Sequence, residues 1–121
     1  MWTKKQYQEA VFYLEACESG SMFDGYPTNQ KFYALTAANP NESSWGNYCP
    51  PDDVVNGTHI GSCLGDLFSN VWMEDTDAQD TSKETLQQQY VTVKTKTDKS
   101  HVMQYGDLSF QSEAAANFVG N

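Results

Sequence analysis

The run Val11-Phe12-Tyr13-Leu14 constrains this chain more than any other stretch. It is short, apolar, β-branched and aromatic, with no polar alternation, as suits a central strand covered on both faces. Polarity then switches within two residues. Glu15, Cys17 and Glu18 arrive where the strand must end, and Ser19-Gly20-Ser21 supplies turn residues. In open parallel α/β sheets, ligands bind at the carboxyl ends of strands. A thiol between two carboxylates at that point is a candidate nucleophile.

The remaining elements follow from the same reading. Lys4 to Ala10 has the pattern of the last turns of a helix, and Val11–Ala16 that of the first strand. Lys31–Ala38 is a second buried strand, closed by Asn39-Pro40-Asn41 because proline cannot continue a ladder. Leu64, Leu67, Phe68, Val71 and Trp72 recur at helical spacing and predict a helix over Leu64–Met73. An acidic loop, Glu74 to Asp80, follows and reads as solvated surface. Thr81-Ser82-Lys83-Glu84 has the form of a capping box. From it a helix is expected to run to about Thr95, with Leu86, Tyr90 and Val93 on one face. His101–Tyr105 is a third strand, ended by Gly106-Asp107. The stretch from Leu108 to Asn121 is weakly patterned, with room for a short helix at Ser112–Phe118. The order of strands and helices is an α/β pattern. Three strands make an incomplete sheet, and the first would have an open edge.

Composition excludes several classes. The net charge is −9 and the chain has no arginine, which argues against a nucleic-acid partner and against an anionic membrane surface. No window approaches the roughly 20 apolar residues of a membrane span. Behind Met1-Trp2-Thr3-Lys4-Lys5 there is no apolar signal-peptide region, so the protein is expected either to be cytosolic or to be the later part of a longer chain. Three cysteines are present: Cys17, Cys49 and Cys63. Cys49 and Cys63 bracket a loop with Pro50 and Pro51, and a bridge there would lower unfolded-state entropy by about 3 kcal/mol in the chain-entropy model. That pairing would leave Cys17 free. Three buried free thiols fit the composition equally well. Two glycosylation sequons, Asn41-Glu42-Ser43 and Asn56-Gly57-Thr58, lend weak support to a secretory route.

A cysteine nucleophile reacts as its thiolate, for which a nearby histidine is the usual activator. The two histidines, His59 in the Cys49–Cys63 loop and His101 at the last strand, are not well placed for that and read as structural or surface groups. Glu15 and Glu18 disfavour a thiolate by like charge. Glu15 fits a recess that hydrogen-bonds a polar substrate side chain such as a carboxamide, where a wrong side chain leaves buried polar groups unpaired. Neither a zinc-spaced ligand set nor a phosphate-binding glycine loop is present, so no metal and no cofactor is expected.

Glu15-Ala16-Cys17-Glu18-Ser19-Gly20-Ser21-Met22-Phe23 resembles the catalytic cysteine segment of the legumain family, the asparaginyl endopeptidases or vacuolar processing enzymes. The similarity continues in order through Thr36–Asn39, Glu42-Ser43-Ser44-Trp45-Gly46, Leu64–Ser69, Trp72–Asp75, Lys83–Leu86 and Ser100–Gly106. The Trp45–Pro50 lead-in to the Cys49/Cys63 loop is closest to plant and protist members. The resemblance implies a caspase-like fold: a three-layer α/β sandwich with a mostly parallel sheet and helices on both faces. Residues 1–107 would form the C-terminal part of the peptidase domain and 108–121 the start of a tail. It implies cleavage of peptides with a P1 asparagine, less readily aspartate, by an acyl-enzyme on Cys17. Glu15, Ser43 and Asp66 would line the S1 pocket, with Ser44 and Trp45 adjoining the substrate channel. A vacuolar, lysosomal or secreted location goes with it.

The departures are as specific. The family's catalytic histidine lies in a His-Gly motif upstream of the cysteine, and this chain starts after it. An arginine and a histidine of the S1 pocket, the opening strands and the C-terminal pro-domain are also absent, and Leu35 stands where threonine is common. As an isolated product the chain is expected to be inactive, with the missing N-terminal half as its natural partner. The alternatives are a non-catalytic binding module that keeps the pocket, a peptide ligase of the same family, and the catalytic subunit of the glycosylphosphatidylinositol transamidase.

Overall fold

The computed structural model describes residues Met1–Gly120. Its centre is a three-stranded sheet of β1 (Ala10–Leu14), β2 (Phe32–Thr36) and β7 (Met103–Gly106), with β2 in the middle. β1 runs parallel to β2, with Ala10 opposite Phe32 and Leu14 opposite Thr36. β7 runs antiparallel to β2, with Tyr33 opposite Gly106 and Thr36 opposite Met103. The sheet is therefore mixed rather than mostly parallel. The last connection explains this, since the helix before β7 returns the chain at the carboxyl end of β2 and β7 must run back from there. Gly106 has φ +84°, and a Cβ on it would collide with the Phe32 carbonyl, so the end of β7 requires glycine.

Around this sheet lie two small accessory ribbons. β3 (Gly46–Asn47) pairs antiparallel with β6 (Gly65–Asp66), and β4 (Val54–Val55) with β5 (Thr58–His59) across an Asn56-Gly57 turn. Both Asn56 and Gly57 have positive φ, as a two-residue hairpin turn demands. Two longer helices follow, α1 (Leu67–Ala78) and α2 (Leu86–Lys96), and a single turn, α3 (Ala116–Val119), comes last.

Alternation along the strands sorts the core. Val11, Tyr13, Tyr33 and Leu35 point to one face and pack with Leu67, Phe68 and Val71 of α1 and with Leu86 and Val93 of α2. Phe110 joins them from the segment after β7, and Tyr13 stacks on Trp72 at 4.6 Å between centroids. The opposite face carries Phe12 and Phe32, met by Phe23 from a 3-10 turn at Ser19–Phe23. Both α1 and α2 thus lie on one face; the other carries that turn and Tyr26, which packs on Phe32 at 4.8 Å between centroids. Phe12 is left 46% exposed, so β1 is not closed on both faces as its composition suggests.

Several boundaries differ from the sequence reading for identifiable reasons. Residues 5–10 are not helical; a 3-10 turn at Trp2–Lys4 is stopped by Lys5 in the left-handed region. β1 ends at Leu14, two residues early, because Glu15 is diverted to the start of α1. α1 begins at Leu67, since Gly65 and Asp66 are used in β6, and it continues through the acidic stretch to Ala78. The capping box exists four residues later than expected: Thr85 Oγ1 accepts from Gln88 N–H at 3.1 Å and Gln88 Oε1 accepts from Thr85 N–H at 2.9 Å. Glu84, assigned to a cap by its spacing, is buried instead. Residues 108–119 place Phe110 and Ala115 in the interior, and Ala115 N–H donates to Glu84 O at 2.8 Å.

The junction of α1 and α2 buries charge. Asp75 is fully buried with no hydrogen-bond partner for either carboxylate oxygen, and Glu84 Oε2 is likewise unpartnered. Charge on one of these carboxylates disfavours charge on the other. Burial, reinforced by Asp75, pushes the Glu84 carboxyl up to about 7, and Lys96, 3.9 Å from Asp75 Oδ1, opposes this only in part. The folded value lies above the ordinary 4.5, so the proton's stabilisation is complete below about 4.5 and is lost as pH rises through about 7. Glu84→Gln keeps a donor toward Asp75 at every pH. Its melting temperature is expected to exceed the parent's by about 5 °C at about pH 8 and to match it at about pH 5, measured by circular dichroism. An equal offset at both values would show that the pair does not share a proton.

Candidate active site

Three segments converge on Cys17. The first is the continuation of β1. Ala37 N–H donates to Leu14 O at 3.0 Å, carrying the parallel pairing one step beyond the strands. The chain then turns sharply at Glu18, which has φ 54° and ψ 22°. A non-glycine residue in this left-handed region costs about 1 kcal/mol and persists only where neighbours fix it. Here they do. The Ser19 hydroxyl is fully buried, donating to Ala38 O at 3.2 Å and accepting from Ala38 N–H at 3.0 Å. Gly20 N–H donates to the same Ala38 oxygen at 3.1 Å, and a Cβ on Gly20 would lie 2.9 Å from Pro40 Cδ. The second segment is the loop after β2, from Asn39 to Trp45. The third is Gly65–Asp66 with the first turn of α1, tied to the second by the Gly46–Asp66 pairing and by Leu67 N–H donating to Trp45 O at 2.9 Å.

Cys17 is exposed and unpaired. Its Sγ lies 3.9 Å from Ser44 O and 3.8 Å from Ser44 Oγ. Hydrogen bonding with the Ser44 backbone, then with the Ser44 and Ser43 hydroxyls, holds the thiol below its ordinary value against desolvation and the Glu18 charge. The serines thus supply what the flanking carboxylates oppose.

Glu15 sits beside this thiol, half-buried. Its Oε2 accepts from Ser69 N–H at 2.8 Å, and Ser69 is the third residue of α1, where backbone donors have no intrahelical partner. The carboxylate therefore caps the helix from outside and faces its positive end. Desolvation, with the nearby Asp66 charge, raises the Glu15 carboxyl, and the Ser69 backbone and side chain and the Ser44 hydroxyl pull it back in part. Its Oε1 is buried without a partner. Asp66 occupies the N-cap position of α1 yet makes no capping bond with its side chain, so its exposed carboxylate is uncommitted. Ser43 is exposed, and Trp45 is 52% exposed at the rim. Cys17, Glu15, Ser43, Ser44, Trp45 and Asp66 are drawn to one end of the sheet, although they come from three separate stretches of chain.

Cys49 and Cys63 form a disulfide that closes the loop bearing β4 and β5. Both histidines are engaged with carboxylates. His59 Nδ1 lies 2.8 Å from Asp53 Oδ1, and His101 Nδ1 lies 2.8 Å from Glu42 Oε2. Among the described residues neither is a hydrogen-bond partner of Cys17, and none form a cluster able to hold a metal ion. Sequence reasoning missed Ser19, Glu42 and the Ser69 amide. Placing the start of α1 at Leu67 would have exposed the last of these, because a free first-turn N–H asks for an acceptor.

Comparison with known proteins fits this geometry. The model of the Peptidase C13 family matches residues 1–121, and the chain belongs to that family. It is 46% identical to the vacuolar-processing enzyme delta-isozyme of Arabidopsis thaliana, over 99% of this chain and 27% of that protein. It is 49% identical to legumain of Mus musculus, over 99% of this chain and 26% of that protein, and 48% identical to the vacuolar-processing enzyme of Citrus sinensis, over 94% and 24%. The chain spans about a quarter of the length of these curated relatives.

Cys17 is expected to be alkylated by iodoacetamide with a pH midpoint below the ~8.5 of an unperturbed cysteine. Ser44→Ala removes the hydroxyl beside the sulfur and should move that midpoint upward; a midpoint unchanged by the substitution would exclude the Ser44 hydroxyl as an activator.

Proposed function

We propose that this chain is the nucleophile-bearing part of a cysteine endopeptidase that cleaves peptide bonds after asparagine. The carrying observation is the pairing of an exposed, activated Cys17 thiol with the buried, unpartnered Oε1 of Glu15 beside it. A carboxamide NH2 donates to such an acceptor, and Asp66 offers a second carboxylate within the same neighbourhood. An aliphatic side chain would leave the Glu15 oxygen unsatisfied, which is the basis of strong discrimination.

In the reaction, the Cys17 thiolate attacks the carbonyl carbon following the asparagine side chain. The Cys17 amide contributes to stabilising the oxyanion. Collapse of the tetrahedral adduct expels the amine and leaves a thioester on Sγ, which water then hydrolyses. The proton for the leaving amine comes from a general acid outside this chain, in the preceding part of the peptidase domain. Membership of the Peptidase C13 family supports this division, as does the short span of the relatives that the chain covers. The unpaired edge of β1 and the exposed Phe12 offer that part a place to dock and to supply a further helical layer, giving the caspase-like three-layer sandwich. The disulfide and the vacuolar processing in the relatives' names support a vacuolar or lysosomal setting reached through an oxidising compartment. No helix of the described residues is long and apolar enough to cross a membrane.

The test uses the full-length protein carrying this chain, with matched peptides bearing asparagine, aspartate, glutamine or alanine before the scissile bond. Asparagine should be cleaved fastest and aspartate next. Cys17→Ala should abolish turnover, and Glu15→Gln should lower kcat/KM for asparagine by ~100-fold. Hydrolysis that survives Cys17→Ala would refute the nucleophile. Binding of the asparagine peptide without any turnover would favour a non-catalytic binding module.

A further inference from the structure

Glu42 precedes the two serines that face the nucleophile and is itself assigned no part in the chemistry above. It is nonetheless the most heavily bonded side chain at this end of the sheet. Its Oε1 accepts two backbone N–H groups, from Asn39 at 2.9 Å and from His101 at 2.7 Å. Its Oε2 faces His101 Nδ1 at 2.8 Å, and because a carboxylate only accepts, that nitrogen carries the proton. Its backbone carbonyl accepts from Glu18 N–H at 2.7 Å. The carboxylate is three-quarters buried, while the imidazole of His101 is largely exposed.

These bonds bracket the thiol. On one side, the Glu42 carbonyl holds Glu18, the left-handed residue that turns the chain directly after Cys17. On the other, Glu42 leads in two residues to Ser44, whose carbonyl and hydroxyl are the neighbours of Sγ. The Asn39 bond fixes the exit of β2, and the His101 bonds tie in the turn between α2 and β7, which is also docked by Ser100 Oγ donating to Ala37 O at 2.6 Å. Charge-assisted bonds to one carboxylate are shorter and stronger than neutral ones. A residue held at three points by its carboxylate and at a fourth by its backbone carbonyl therefore fixes the relative placement of the two strand ends that the sulfur lies between.

We propose that Glu42, clamped by His101, is a positioning residue for the Cys17 nucleophile: it sets the distance from Sγ to Ser44 and thereby the reactivity of the thiol. The proposal rests on the cysteine-peptidase reading for its kinetic consequence, though not for its effect on the thiol. His101 acquires a role in it through its Nδ1–H and backbone N–H, not as a base.

The experiment compares the parent full-length protein with Glu42→Ala, Glu42→Gln and His101→Ala. Three quantities are read: melting temperature, the pH profile of Cys17 alkylation by iodoacetamide, and kcat and KM on an asparagine peptide. Glu42→Ala is expected to move the alkylation midpoint upward and so to slow alkylation about tenfold at pH values below it. It should lower kcat by ~100-fold with KM little changed, since the group displaced is the one that reacts. Glu42→Gln keeps an oxygen for both backbone donors and should recover most of both quantities. A folded Glu42→Ala protein with the parent's alkylation profile overturns the proposal, whatever its stability. If Glu42→Ala does not fold, His101→Ala decides, because it leaves the Asn39 and Glu18 bonds in place. A partial upward shift in its alkylation midpoint is then expected, and an unshifted one overturns the proposal. Should the parent itself lack turnover, the peptidase reading fails separately, and the alkylation profiles still decide the role of Glu42.

Discussion

Everything at the candidate site depends on the parallel pairing of β1 with β2 and on its continuation past both strands. Leu14 lies opposite Thr36, and the next step is the bond from Ala37 N–H to Leu14 O. Because the strands run the same way, both carboxyl ends emerge together, and the Glu15–Ser19 turn must form beside the Ala37–Trp45 loop. The Ser19–Ala38 pair of bonds then locks the two exits at a fixed offset. A one-residue slip would turn Val11 and Tyr13 away from α1 and α2 and would carry Cys17 off Ser44. Core packing and site geometry are thus set by one register.

The electrostatics of the site follow from this crowding. An acidic chain has placed a cysteine between two glutamates, which by itself would keep the thiol protonated. The thiol is nonetheless held below its ordinary value because two serines are brought to the sulfur, while Glu15 is drawn away to the amide end of α1. The same helix end that neutralises part of the Glu15 charge also holds its second oxygen in the interior without a partner. A buried acceptor left open costs stability unless a ligand completes it, and a carboxamide is the neutral group that completes it with a proper donor.

How much of this was legible in the sequence depends on how local the cause was. β2 was readable because Phe32–Leu35 is an apolar and aromatic run within Lys31–Ala38, and the apolar face of α2 because Leu86, Tyr90 and Val93 carry the helical period. The candidate nucleophile was readable because a turn signal directly follows a strand signal. What failed has a common origin in tertiary contacts. Glu84 has the spacing of a cap residue, but it is taken inward to face Asp75, and the box passes to Thr85 and Gln88. The acidic stretch 74–78 looked like solvated loop, whereas Asp75 is buried and α1 runs through it. Phe12 looked buried by composition and is exposed because neither of the two longer helices lies on its face of the sheet. The grouping of Glu15, Ser43, Ser44, Trp45 and Asp66 came from family resemblance alone. No periodicity links residues fifty positions apart, and only the sheet topology explains why they meet.

The central claim, that Cys17 and Glu15 act together on an asparagine residue, is tested most directly by a crystal structure of the full-length protein soaked with a peptide ending in an asparagine aldehyde. The account predicts a covalent bond from Cys17 Sγ to the aldehyde carbon, with the carboxamide nitrogen within hydrogen-bond distance of Glu15 Oε1. An adduct on Cys17 whose carboxamide points to solvent, or a bound peptide with no bond to Cys17, would contradict it.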